Sequence, residues 1–434
     1  MPRVEFRKRA RVTVLALGIW LVAYGPARAG QAPGSQPAVG CITCHEGLAD
    51  ARLSAPAVDE PGDVHGARGF TCLVCHGGDG TSQDQARAHD RARGFRGKPA
   101  AAAVTEVCAR CHSDAEFMRR YAPRQRVDQA SEYATSVHGQ QLARGDTKVA
   151  TCVSCHGAHG IRMVSDAKSP VFPLNVSATC SRCHADAAHM AGYVLPDGSP
   201  LPTDQHELYE RSVHYAALTK ANDLSAPTCN DCHGNHGAAP PGVGAVVNVC
   251  GTCHAVFSSK FALSTHSQIF DRGCVECHSN HEVLQPSDAM LGTDEPALCI
   301  TCHGEGDNGY EAARTMRSDI DRLKEAIDAS VALVGRAANA GMEMSDEELS
   351  LREARNHLTL ARTEVHTFDL PSVQKVIQEG FDVTASVDQA GQAALDELSF
   401  RRTGLAVSLG AILLVVVALA LKIREVDRTY GVRS

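Results

Sequence analysis

The chain has 434 residues, of which 18 are cysteine, 21 are histidine and only 20 are aromatic, and its formal net charge is −8. So many cysteines exclude an ordinary reduced enzyme unless the thiols hold metals, cofactors or disulfides. The excess of acidic side chains argues against a nucleic-acid partner.

The N-terminus has the pattern of an export signal. A basic segment precedes an apolar run from Val12 to Tyr24, and Ala27-Arg28-Ala29 supplies the small residues that a signal peptidase reads. We predict that residues 1–29 are a signal peptide; the alternative is an uncleaved anchor. Its removal leaves a net charge of −13, which favours basic docking partners. Residues 30–40 are rich in Gly, Pro, Gln and Ser and predict a flexible leader.

All 18 cysteines lie in Cys-x-x-Cys pairs, each followed immediately by histidine. Two thiols at this spacing can form thioethers to the vinyl groups of one porphyrin, and the adjacent histidine can then bind the iron. Structural zinc or disulfides would not explain a histidine after every second cysteine. The sequence therefore predicts nine covalently bound haem c groups. The sites are Cys41/Cys44/His45, Cys72/Cys75/His76, Cys108/Cys111/His112, Cys152/Cys155/His156, Cys180/Cys183/His184, Cys229/Cys232/His233, Cys250/Cys253/His254, Cys274/Cys277/His278 and Cys299/Cys302/His303.

The motifs predict a haem region at residues 41–303, built from one lone site and four doubled repeats. Each repeat has an upstream histidine, a first motif, usually a trailing histidine three residues after that motif, and a second motif. In the first repeat Asp79 stands at the trailing position, and His89 is the candidate replacement. With roughly 29 residues per site, the haems are expected to pack together as the core. The lone site takes residues 41–64, and the repeats take residues 65–122, 123–205, 206–262 and 263–303.

The remaining histidines are candidates for the sixth coordination position of each iron. A second histidine there gives an electron carrier, whereas an open position can bind and reduce a substrate. We predict distal ligands at His65, His89, His138, His159, His214, His236, His266 and His281. Either His189 or His206 could serve the lone site, whereas His357 and His366 are interpreted as solvated helix residues. Nothing in the sequence requires an open site, so no catalytic residue is predicted.

Beyond His303 the cysteines stop and an apolar period typical of helices begins. Residues 304–400 predict a helical bundle or stalk. Residues 403–421 carry no charge and predict a transmembrane helix at 401–424; a buried core helix is the alternative. Four basic residues follow the run and two precede it, so the tail at 425–434 should face the cytoplasm. The predicted fold class is mainly α with few strands: a loop-rich multihaem region, a helical stalk and one C-terminal membrane helix.

The haem region resembles the doubled-CXXCH multihaem cytochromes c of bacteria that respire with diverse acceptors. The most specific stretch runs from Ser136-Val137-His138-Gly139 to Cys152-Val153-Ser154-Cys155-His156-Gly157-Ala158-His159-Gly160. This resemblance implies stacked bis-histidine haems that pass electrons across the periplasm. In role the chain is also similar to membrane-anchored quinol-oxidising tetrahaem cytochromes, whose anchor is N-terminal.

These patterns predict a single-pass protein of the inner membrane with its haem region in the periplasm or outside the cell. It would transfer electrons between a quinone-linked membrane partner and periplasmic or outer-membrane acceptors. Two alternatives stay open: a multihaem reductase of nitrogen or sulfur oxyanions with one open haem, and a structural subunit of a respiratory complex.

Overall fold

The computed structural model describes residues 39–58, 62–242 and 245–431. The predicted signal peptide and most of the predicted leader lie outside these residues. Helices make up 64% of the structure, and the described residues contain no β-strand, only an isolated bridge between Val194 and Pro200. The mainly α fold class is confirmed.

The described chain forms two compact units. The first contains the described residues up to Val107 together with Gly157–Met163, and the second contains Cys108–His156 and the chain from Val164 onward. In the first unit, the Val64 amide donates to the Ile161 carbonyl at 2.8 Å, so the later segment is tied to the earlier one. Its helices are short: Val39–Glu46, Ala51–Val58, Cys72–His76, Gln85–Ala88, the beginning of Ala101–His112, and the 3-10 turns Gly66–Arg68 and Arg91–Arg93.

The second unit continues with short helices joined by loops, because the chain returns to a cysteine motif every few turns. The α-helices before the stalk are Ala115–Tyr121, Gln129–Thr135, Val137–Ala143, Cys152–His156, Pro173–His184, Ala187–Met190, Gln205–Glu210, Val213–Lys220, Cys229–His233, Val246–Gly251, Ala255–Phe261 and Val275–His278. The 3-10 turns are Thr265–Gln268, Asp288–Met290 and Cys299–Thr301.

Three long helices form the stalk, which we define as residues 304–400; the third helix continues beyond it. They span Asn308–Asn339, Ser345–Glu364 and Leu370–Tyr430, and a 3-10 turn at Val365–Thr367 joins the second to the third. Their facing sides form two apolar clusters, and the larger contains Ile320, Leu323, Ala354, Val373 and Ile377, each at most 2% exposed. Because side chains three and four positions apart share a helix face, the apolar period of the sequence becomes this buried stripe.

The third stalk helix continues without a break into the apolar segment. It contains an 18-residue window of mean hydropathy 2.8, none of which is buried, so the helix is long and apolar enough to span a membrane. This exposure argues against the buried core helix considered above. At about 1.5 Å per residue, the uncharged run that begins at Thr403 lies about 50 Å along the helix from Leu370.

Candidate haem sites

The first motif of the first three repeats folds as a single helical turn that ends at a glycine. Cys152–His156 and Cys229–His233 are such turns, and they are followed by Gly157 and Gly234, each with φ of 83°. Cys72–His76 ends in the same way at Gly77, where φ is 68° and an added methyl would lie 2.1 Å from the Gly94 carbonyl oxygen. One helical turn places the two thiols on the same side, and glycine permits the reversal of the chain behind the histidine.

In the first two repeats the second motif closes a longer helix. Ala101–His112 and Pro173–His184 both end on the proximal histidine, so the two cysteines lie in the last turn. The doubled repeat therefore offers two different backbone settings for the same chemical motif.

The two cysteines of a motif differ in exposure, which the sequence pattern does not show. Three positions along an α-helix turn through about 300°, so the second thiol points about 60° away from the first and often toward solvent. Cys111, Cys155, Cys183 and Cys277 are exceptions, because they are half-buried as the first cysteines are. The exposed cysteines are all second cysteines, namely Cys44, Cys75, Cys232, Cys253 and Cys302, whereas every first cysteine is only partly exposed.

Weak hydrogen bonds involve three of the exposed second cysteines. Cys44 Sγ donates to Gln83 Oε1 at 3.8 Å, and the hydroxyl of the preceding threonine donates to the sulfur atoms of Cys253 and Cys302, at 3.9 and 3.8 Å. Hydrogen bonds to sulfur at these distances are weak and leave the thiols accessible. Haem attachment at Cys44, Cys75, Cys232, Cys253 and Cys302 stays a prediction, as it does at the other cysteines, and a count of haems per chain tests it.

Buried serines position the upstream histidines. Ser136, Ser212 and Ser264 are at most 2% exposed, and each hydroxyl accepts a hydrogen bond from a backbone amide in the first turn of the next helix. In each case the upstream histidine lies two residues after the capping serine. Sequence reasoning found these histidines but missed the caps, although the recurring Ser-x-His was the available signal. In the first repeat Asp63 takes this place and accepts from the His65 amide at 2.7 Å.

Eight proximal histidines each have a second histidine ring at 5.9–6.3 Å between ring centroids. The pairs are His45 with His89, His76 with His159, His184 with His138, His156 with His236, His254 with His214, His233 with His281, His303 with His266, and His278 with His366. His65 lies in the first unit and His112 in the second.

The spacing of these pairs fits one iron between two rings. A metal–imidazole bond is about 2.0–2.1 Å, and the ring centroid lies about 1.1 Å behind the nitrogen, so two axial rings stand about 6.3 Å apart. Histidine rings in van der Waals contact would lie closer. The residues present therefore fit a haem that is held by two histidines.

Hydrogen bonds at the other ring nitrogen fix several of these histidines. His45 Nδ1 lies 3.0 Å from the Leu53 carbonyl oxygen, His76 Nδ1 lies 2.9 Å from that of Gly97, and His89 Nδ1 lies 2.9 Å from that of Gln85. A carbonyl only accepts, so Nδ1 must carry the proton and Nε2 keeps its lone pair for a metal. Burial lowers the pKa of His156 and of His278, which favours the neutral form that binds iron.

Consecutive motifs of the second unit lie side by side. The thiols of Cys180 and Cys229 share a hydrogen bond that raises the pKa of Cys180 and lowers that of Cys229. Cys250 and Cys274 form a second such pair, which lowers the pKa of Cys274 to about 7. Each pair joins the second motif of one repeat to the first motif of the next, so the sites form a row in chain order.

The structure gives partners to predicted distal histidines whose pairing the sequence left open. His89 lies beside the lone-site histidine, His45, at 6.2 Å, and the trailing histidines of the later repeats likewise face the preceding site, so the geometry supports His89 as the replacement at the position of Asp79. His206 lies 3.8 Å from Glu210, and neither His206 nor His189 has a described ring contact with a proximal histidine. Their predicted service to the lone site therefore gains no support from the geometry.

His366 is the residue that sequence reasoning misplaced. We interpreted it as a solvated helix residue, but it is half-buried, with its ring centroid 6.2 Å from that of His278. The reason is local: the second stalk helix ends at Glu364, and the chain turns inward at Val365–Thr367. His357 lies within a stalk helix as predicted, with Nδ1 3.6 Å from Glu379, but its side chain is only 17% exposed, so its interpretation as solvated is wrong.

An ion pair joins the haem region to the stalk near this turn. The Arg362 guanidinium donates twice to the Asp288 carboxylate, at 2.8 and 2.6 Å, and Arg317 donates to the Asp288 main-chain carbonyl at 2.6 Å. The hydrogen bond from Arg362 holds the pKa of Asp288 below its ordinary value, with Arg317 and Lys324 adding positive charge nearby. The contact is therefore a charged link between the haem region and the stalk.

We expect Asp288→Asn to lower stability at neutral pH by about 1 kcal/mol because the two-point contact is lost. A carboxyl whose pKa is lower in the folded state stabilises fully above its unfolded pKa of about 3.9, and this contribution disappears as pH falls through the folded value. The difference in melting temperature between the two proteins should therefore shrink as pH falls below about 3.9 and vanish once the Asp288 carboxyl is protonated in the folded protein. Asp328→Asn, at an exposed position of the first stalk helix, is the control, and an equal pH profile for both variants would contradict the prediction.

Comparison with known proteins gives one match. A family model described as the doubled CXXCH motif covers residues 266–308, the last repeat with its upstream histidine and the beginning of the stalk. No curated protein and no solved structure matches the chain. The doubled motif supports a multihaem c-type cytochrome that binds haem c covalently and takes part in electron transfer.

Proposed function

We propose that the chain is a nonahaem electron-transfer cytochrome c whose haems have two axial histidines each. The observation that carries this proposal is the spacing of 5.9–6.3 Å between the ring centroids of proximal histidines and second histidines. With both axial positions closed, a substrate has no place to bind the metal, so outer-sphere electron transfer is the chemistry that remains. When bound, each haem supplies one-electron ferric–ferrous chemistry.

The protein's part in this function is to hold the sites close together and in order. The cysteine pairs fix each site to one short helix, and the hydrogen bonds at Nδ1 fix the ring orientation of several ligands. Electron transfer weakens steeply with separation, so the contacts of Cys180 with Cys229 and of Cys250 with Cys274 support passage from one repeat to the next. His65 remains our predicted distal ligand within the first unit; there its Nδ1 lies 3.1 Å from the Asp63 carboxylate.

We further propose that the apolar helix anchors the protein in the inner membrane, with the haem region in the periplasm or outside the cell. The stalk turn lies about 50 Å along the third stalk helix from the apolar segment, which supports a separate membrane protein as electron donor rather than direct contact with quinol. The natural partners are thus a quinone-linked membrane complex on one side and periplasmic or outer-membrane cytochromes on the other.

Low-temperature EPR of the oxidised full-length protein tests the proposal, together with carbon monoxide added to the reduced form. We expect only low-spin signals, no carbon monoxide adduct, and nine haems per chain by mass spectrometry and pyridine haemochrome assay. A high-spin haem that binds carbon monoxide would overturn the closed electron carrier and favour the reductase of nitrogen or sulfur oxyanions.

A further inference from the structure

We propose that the stalk, rather than the haem region, supplies the sixth ligand of the site at Cys274, Cys277 and His278, through His366. This inference rests on the proposed function, because it assigns a ligand within the same set of closed sites. It gives the stalk a role in the redox chain beyond that of a spacer.

The histidine pairs follow a connectivity rule that leaves the site at His278 without a partner inside the haem region. The upstream histidine of a repeat pairs with the second motif of the same repeat, as His214 does with His254. The trailing histidine pairs with the first motif of the preceding repeat: His159 with His76, His236 with His156, and His281 with His233. The rule requires a trailing histidine from a fifth repeat for His278, and the sequence has no fifth repeat.

His366 has the geometry of that missing trailing histidine. The three trailing pairs are nearly parallel, with interplanar angles of 11–18°, whereas the pairs of upstream histidines within the second unit are tilted by 40–86°. His278 and His366 meet at 14°, within the trailing class. His366 Nδ1 lies 3.1 Å from the Thr363 carbonyl oxygen, so its proton is held there and Nε2 is left for a metal.

The stalk turn also docks where a following repeat would. In the first three repeats, the backbone amide of the residue just before the upstream histidine donates a hydrogen bond to the following repeat. The acceptor is the backbone carbonyl of the residue two positions after the trailing histidine of that following repeat. These hydrogen bonds join Val64 to Ile161, Val137 to Ala238 and Val213 to Val283, at 2.8–3.0 Å. For the fourth repeat, His366 of the stalk takes the place of the next trailing histidine. The residue two positions after it is Phe368, whose ring centroid lies 4.1 Å from that of the upstream histidine of the fourth repeat, His266.

Two further features hold the turn in this place. The Phe257 ring packs edge-on against His366 with centroids 5.0 Å apart, and Lys260 on the same helix pairs with Glu364 at 2.7 Å. Phe368 has φ of 53°, a left-handed conformation that is unfavourable for a bulky residue and persists only where the surroundings enforce it. The strained residue therefore lies in the same turn that places His366 beside His278.

The test compares His366→Ala with His357→Ala, a second stalk histidine that faces Glu379, in the full-length protein. We expect His366→Ala to convert one haem per chain to a high-spin form that binds carbon monoxide when reduced, and added imidazole to restore the low-spin signal. His357→Ala should leave all haems low-spin. His366→Ala with only low-spin haems and no carbon monoxide adduct would overturn the assignment.

A second variant covers the case in which His366→Ala disturbs several sites at once. His366→Met keeps an axial ligand, and a thioether raises the reduction potential of a haem relative to imidazole. One haem alone should then titrate at a higher potential in spectroelectrochemistry; unchanged potentials for every haem would overturn the inference. A high-spin haem in the wild-type protein would instead contradict the proposed function. The inference about His366 would still be testable in that case, because the His366 variants should alter the spin state or potential of one additional haem.

Discussion

A chain that ends after Phe400 is expected to move from the membrane fraction to the soluble fraction while its haem content stays unchanged. The truncation removes the uncharged run from 403 to 421, which is exposed along its whole length and has no core to join. The stalk core ends before this point: Val387 is the last fully buried apolar residue in it, and Leu395 packs at its edge. The stalk should therefore fold as before, because the truncated residues bury nothing.

A chain that ends after Arg424 is the matched control, because it loses the last ten residues and keeps the apolar segment. We expect both this chain and the intact protein to remain in the membrane fraction after a high-salt wash. A truncated protein that stays membrane-bound would contradict the C-terminal anchor. N-terminal sequencing then shows whether the segment from Val12 to Tyr24 was retained and acts as the anchor instead.

The cysteine motifs could be found in the sequence because their chemistry is local. Two cysteines and a histidine within five residues define one attachment site, and a helical turn of that length is what the structure has at Cys152–His156. The stalk could also be predicted from the sequence, since the spacing of Ile320, Leu323 and Ile327 alone indicates one buried helix face. Both features depend on neighbours within a few residues in the chain.

The partners of the second histidines could not be read in the same way, because each pair joins distant parts of the chain. His159 belongs to the second repeat by sequence but lies beside His76 of the first repeat, and His89 serves the lone site that precedes its own repeat. The sequence shows which positions recur and not which repeat a side chain faces. His366 was missed for a further reason, because it is not part of the repeated histidine pattern. The apolar helical period on both sides of it gives no sign of the turn at Val365–Thr367, which ends at Phe368 before the helix that begins at Leu370.

Gly309→Ala is expected to break the last haem site, although the substitution normally favours a helix. The first stalk helix begins at Asn308 and is capped by Asp307, whose carboxylate also lies 3.2 Å from His303 Nδ1. An added methyl at Gly309 would lie 2.2 Å from His303 Cε1, well inside contact distance. A free histidine could swing away at little cost, but one that is bound to iron and paired with His266 cannot.

The same helix contains the matched control. An added methyl at Gly335 meets no atom within 4 Å, so Gly335→Ala should stabilise the stalk by about 1 kcal/mol through helix propensity alone. Gly309→Ala should instead destabilise the protein by about 1–3 kcal/mol, the usual cost of overpacking, and convert the haem at His303 to a form that binds carbon monoxide. Melting temperature and the carbon monoxide difference spectrum measure both effects. If Gly309→Ala matched Gly335→Ala in both readouts, His303 would be free to move, and iron ligation at this site would be wrong.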